Sequence, residues 1–209
     1  MHLGFEPDHC ELAVSGKLLG KPEILNTKHM KNDTGTSLAI SSDAYFFEKD
    51  KSDSILVLGI GNYLMGDEGV GVQVIQKMNT LELPEYLDIL DGGTGGFLLL
   101  GCIEAYGGII FVDATMDGKK EGSVTLIRPR FASDFPSALS VHDVGLKDMV
   151  EALYLTEKRP EIRLMTISIS EMKPMTLELS EPVACSIPKA IDNILQLAEE
   201  MHTSRMKPV

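Results

Sequence analysis

The sequence predicts an α/β fold in three layers, a twisted, mostly parallel sheet of about five strands with helices on both faces. Two features carry this expectation. The strand-like runs are short, continuous and apolar, as in Ile55-Leu56-Val57-Leu58 and Ile109-Ile110-Phe111-Val112, which suits strands covered on both sides. Between them lie stretches whose apolar residues recur at helical spacing, so strands and helices alternate.

The pattern is regular from Ser54 onward. Strands are expected at 55–60, 86–90, 108–113, 123–127 and 162–169. Val70, Val74, Ile75 and Met78 share one helical face after the first strand. Leu98, Leu99, Cys102 and Ile103 do so after the second. Val144, Met149, Val150 and Leu153 form a further amphipathic segment, with Ser140 as a candidate N-cap. The last helix is expected over 181–201, with Val183, Ile187, Ile191, Leu195 and Ala198 inward and a kink near Pro188. Residues 1–53 differ. Their apolar residues come in scraps, and 32–37 and 48–53 read as loop or tether. The chain thus divides into an irregular N-terminal extension, 1–53, and an α/β domain, 54–209.

Composition narrows the function. Of 209 residues, 44% are hydrophobic and 24% charged, ordinary for a globular protein with a real core. The net charge of -12 has the wrong sign for gripping nucleic-acid phosphates and weakly favours a basic or cation-bearing partner. Cys10, Cys102 and Cys185 are scattered and form no CxxC pair, which argues against a disulfide framework or cysteine zinc site. They read as small buried hydrophobes or inert thiols in a reducing compartment. No apolar run approaches the ~18 residues of a membrane span. The N-terminus carries early acids and no apolar signal core, so the expected address is cytoplasmic.

In open parallel sheets, ligands bind beyond the carboxyl ends of the strands. The glycine loop there, Gly59-Ile60-Gly61, resembles a phosphate cradle. However, Leu64 occupies the third glycine position of a dinucleotide fingerprint, and no Gly-Lys-Ser/Thr follows. Asp67 and Glu68 stand where the next helix should begin and would repel a phosphate. Asp67 suits a helix cap, whereas Glu68 is placed to face the crevice. Asp113 closes its strand as either a loop hydrogen-bonder or a site residue. His142 is the sole histidine in the regular α/β body; taken alone it fits a surface capping turn. Together, Glu68, Asp113 and His142 offer two oxygens and a nitrogen from three segments, a set suited to zinc, nickel or a similar divalent ion. Asp91-Gly92-Gly93-Thr94-Gly95-Gly96 is either a tight turn or a seat for an extended peptide.

The run Ile55 to Asn62 followed by Gly66-Asp67-Glu68-Gly69-Val70-Gly71 resembles the opening motif of the nickel-iron hydrogenase maturation proteases. The resemblance continues through Leu90-Asp91-Gly92-Gly93-Thr94, Val112-Asp113-Ala114 and Ser140-Val141-His142-Asp143-Val144-Gly145-Leu146, in the family's order. It implies a cytoplasmic endopeptidase, of aspartic type by class, that removes a C-terminal extension from the hydrogenase large-subunit precursor after nickel insertion. The family's metal-contacting residues fall on Glu68, Asp113 and His142. The nickel is carried by the precursor, so the isolated protein is expected to hold none. More weakly, the resemblance brings Glu171 and 172–180 to the border of the same crevice. No nucleic-acid or membrane partner is expected, and the working state is a monomer. Two other readings remain at this point: a non-catalytic nickel-checkpoint chaperone of the precursor, and a nucleotide-binding α/β module.

Overall fold

The computed structural model describes residues 50–129, 150–153 and 160–206. The N-terminal segment before them, Ser140, Val144, Met149 and His142 lie outside the described residues, as does the side chain of Leu98.

Five strands form one sheet in the order β2-β1-β3-β5-β4. They are β1 (Lys51–Ile60), β2 (Leu87–Gly93), β3 (Tyr106–Thr115), β4 (Val124–Ile127) and β5 (Glu161–Ser168). β1 pairs in parallel with β2 and β3, and β3 with β5; only the edge strand β4 runs antiparallel, against β5. The helices are α1 (Val70–Met78), the short α2 (Leu100–Ile103) and α3 (Glu181–Met206); residues 150–153 are also helical. No helix among the described residues is long and apolar enough to cross a membrane.

The continuous apolar runs are explained by burial on both faces. Along β1, Ile55 and Val57 enter one core with α1 and α3, while Leu56 and Leu58 enter a second with Cys102, Ile103, Val150 and Leu153. Strand side chains alternate between faces, so one apolar run feeds two cores. Each fully buried aliphatic side chain contributes about 1.5–3 kcal/mol. Cys102 belongs to the second core, where burial pushes its thiol pKa up.

Two expectations about boundaries need correction. Residues 51–53, expected in the tether, begin β1. Lys51 pairs with Tyr106 across a register shift, and its Nζ donates to Asp88 Oδ2 at 2.7 Å and to the Tyr106 hydroxyl at 3.0 Å. A charged stretch thereby gains partners in two neighbouring strands. The last helix continues to Met206 rather than ending at 201, and it runs on through Pro188. Its final turns are tied down by buried Met201 and by Arg205 Nη2 donating to Ser52 O at 2.9 Å. Val183, Ile191 and Ala198 are buried as expected; Ile187 and Leu195 sit at the margin, while Ala190, Ile194, Leu197 and Met201 complete the face.

The connection from β1 through α1 reaches β2 on one side, and the chain then crosses back to β3 on the other. The strand order reverses between β1 and β3, which makes their carboxyl ends the switch point where open sheets bind ligands. The start of α1 lies directly on that point. A Cβ on Gly71 would fall 2.2 Å from Val112 O and 2.3 Å from Ile60 O, so only a glycine lets the helix approach both strand ends. Gly71→Ala should therefore lower stability by at least about 1–3 kcal/mol, the usual range for overpacking. A denaturant midpoint equal to that of the wild type would contradict this packing.

Candidate active site

The loop leaving β1 is shaped by a backbone constraint at Gly61. Its φ is +133°, and a Cβ there would meet Glu68 O at 2.1 Å. The chain doubles back and enters a 3-10 turn, Gly66–Gly69, that packs against β3 and leads into α1. Glu68 is 1% exposed in this turn. Its Oε2 accepts the backbone N–H of Asn62, a charge-assisted bond that closes the loop on itself. Asn62 Oδ1 in turn accepts from Leu64 N at 3.0 Å. The sequence offered Asn62 as part of a motif but assigned it no role; it holds the carboxylate.

Asp67, read as a cap for the helix that follows it, does something else. Neither the 3-10 turn nor α1 has a side-chain cap. Asp67 Oδ1 accepts from Ser180 N at 2.6 Å, just ahead of α3. An N–H at a helix start lacks an intrahelical partner, and a carboxylate there also meets the positive end of the helix dipole.

Asp113 is fully buried near the end of β3, its Oδ1 accepting from Ala114 N at 2.8 Å. By strand alternation it shares a face with Phe111. In register beside it stands Thr166 of β5, and two residues on Thr115 faces Ser168. All four are buried. The apolar face of the sheet thus turns polar at its carboxyl end, a change visible in the sequence only once the register of β3 and β5 is known. Beyond it, burial pushes the Asp117 carboxyl up, but hydrogen bonds from Lys119 and Ser168 outweigh this and hold it below the ordinary range.

The structure thus sets Glu68 and Asp113 beside neighbouring strand ends at the switch point, as the strand-end rule selects. His142 lies outside the described residues, and among these no set of three His, Cys, Asp or Glu is gathered to hold a metal. A cleft of about 210 Å³ opens next to the carboxylates rather than around them. Gly61, Asn62 and Tyr63 form one wall and Asp91, Gly93 and Thr94 the other, with Val72 and Gln76 of α1 also lining it. The two walls are joined by Gly61 N donating to Gly93 O at 3.0 Å.

The fold is an open α/β sheet with buried acids at its switch point where a nucleotide-binding protein would carry a phosphate loop. The chain belongs to the hydrogenase maturation protease family, whose model matches residues 72–197. That span includes Asp113 and His142 and begins just after the Glu68 turn. The chain is 33% identical over 149 residues to the hydrogenase 2 maturation protease of Escherichia coli strain K12, an alignment covering 70% of this chain and 91% of that relative. Among solved structures, the hydrogenase maturating endopeptidase HybD from E. coli superposes with a TM-score of 0.64 at 33% identity, covering 70% of this chain and 93% of that one. The [NiFe] hydrogenase maturation protease HybD from Thermococcus kodakarensis gives 0.59 at 27% identity, over 69% and 99% of the two chains.

Family membership displaces the nucleotide-binding alternative, and the site gives the reason. Glu68 occupies the start of the helix, where a pyrophosphate would need N–H groups and positive charge. Met65 and Gly66, which follow Leu64, are bridged to Thr176 instead of lining an open cradle. Titration calorimetry with ATP and NAD should accordingly show no saturable micromolar binding; a saturable isotherm would restore that reading.

Proposed function

We propose that this chain is an endopeptidase that removes the C-terminal extension of the nickel-iron hydrogenase large-subunit precursor after nickel insertion. The nickel carried by the precursor is what Glu68, Asp113 and His142 recognise. The observation that carries the reading is the pair of buried carboxylates at the switch point, in a chain of the maturation protease family.

The chemistry favours a cation as guest. Taking a carboxylate out of water costs several kcal/mol even after relaxation. One backbone N–H on each of Glu68 and Asp113 offsets part of that cost, and an arriving divalent ion would offset more. Two carboxylate oxygens and an imidazole nitrogen match a borderline ion such as nickel, with positions left for ligands that belong to the precursor. A nickel-loaded precursor would thus be held with its tail beside the carboxylates, the glycine-walled cleft providing a seat for extended backbone. Positioning of this kind makes attack by water on one peptide bond effectively unimolecular. A carboxylate at the site can accept the proton that the attacking water loses. The reading places this work in the cytoplasm, on a monomer.

Glu68→Gln and His142→Ala should each slow trimming of a nickel-loaded precursor by at least about a hundredfold, the scale of a lost acid–base or positioning group. Mass spectrometry of the large subunit after incubation reads the result, and trimming at the wild-type rate by either variant removes that residue from the site. The wild-type protein should leave the same precursor uncut when nickel has been withheld. Equal cleavage of both forms would sink nickel recognition. Binding without any shortening would instead favour the checkpoint chaperone.

A further inference from the structure

The segment between β5 and α3 crosses the turn that carries Glu68 and is fastened to it along its length. Thr176 N donates to Leu64 O at 3.3 Å, Gly66 N to Thr176 O at 2.9 Å, and Lys173 N to Met65 O at 3.3 Å. Met65 and Thr176 form an isolated parallel bridge. Nearer α3, Gln73 Nε2 donates to Leu177 O at 2.9 Å and Ser180 N to Asp67 Oδ1 at 2.6 Å. At its middle, Met175 has a φ of +63° and is 88% exposed. The segment is a strap, held on both sides of an outward apex.

Asp67 and Glu68 are consecutive residues of one 3-10 turn, in which neighbouring side chains diverge by about a third of a turn. The turn uses that divergence. Asp67 reaches to the strap at Ser180, while Glu68 reaches to the backbone of Asn62. This turn and α1 have no side-chain cap, and the Asp67 bond adds a side-chain tether between the turn and the strap to the backbone bonds that already join them. Asp67 is itself buried at 7% exposure, and its acceptor satisfies a backbone donor at the start of a 26-residue helix.

We propose that Asp67 is a positioning residue: by fastening the strap at Ser180 it fixes the rotation of the 3-10 turn, and with it the placement of the Glu68 carboxylate. The inference rests on the protease reading for its activity readout alone. The test compares Asp67→Ala, which removes the acceptor, with Asp67→Asn, which keeps an amide oxygen in its place. Both are made in the full chain, and rates are normalised to the folded fraction. Hydrogen exchange at the amides of Ser180 and Asn62 reports the tether and the Glu68 carboxylate separately. Asp67→Ala should lose protection at both amides. It should also cleave the nickel-loaded precursor with kcat lower by about ten- to a hundredfold, the scale of a small misplacement of a reacting group, while KM changes little. Asp67→Asn should restore most of the protection and of kcat.

Unchanged protection of Asn62 in Asp67→Ala overturns the proposal, whether or not the chain cleaves anything. So does an Asp67→Asn protein as impaired as Asp67→Ala, or a rise in KM with kcat intact. If the wild type cleaves no precursor while the exchange pattern is as expected, the protease reading fails and the positioning role stands.

Discussion

The site depends on one close approach of backbone to backbone. Gly71 seats the start of α1 against the carbonyls of Ile60 and Val112, with no side chain between helix and sheet. Everything chemical about the switch point follows from that contact. The turn before α1 is drawn over the end of β3, so Glu68 comes to the same end of the sheet as Asp113. A side chain at position 71 would clash with both carbonyls and push the start of α1 away from the sheet.

Placing acids there is electrostatically demanding in a chain that already carries a net charge of -12. The fold meets part of the demand locally: the N–H groups of Asn62, Ala114 and Ser180 donate to Glu68, Asp113 and Asp67. Near this end of the sheet Lys119 pairs with Asp117 and Lys173 with Glu171. The Glu68 carboxylate accepts a backbone dipole, the N–H of Asn62.

Most of the fold was legible because burial on both faces leaves a continuous apolar signature that needs no tertiary knowledge. β3 and β5 fall within two residues of their expected limits at each end. The misplaced boundaries have one cause. Lys51 and the last turn of α3 look polar in sequence, and only long-range partners, Asp88 for one and Ser52 for the other, draw them into regular structure. The candidate site was partly legible for a related reason. A carboxylate at the end of an apolar run stands out, so Asp113 could be selected, and the acids after the glycine loop could be selected with it. Asn62 and Ser180 gave no comparable signal, because each acts through its backbone N–H, which every residue but proline possesses.

The sequence by itself determined the layered α/β class, the order of its strands and helices along the chain and the strand ends near which the candidate acids stand. These depend on periodicity and on where apolar runs stop, both local properties. Only the tertiary structure decided what each acid does. Asp67 and Glu68 are adjacent and chemically alike, yet one reaches across 113 residues of chain to the start of α3 while the other closes its own loop. That division follows from the direction in which each side chain leaves a 3-10 turn already pressed against the sheet, and direction exists only once the chain has folded.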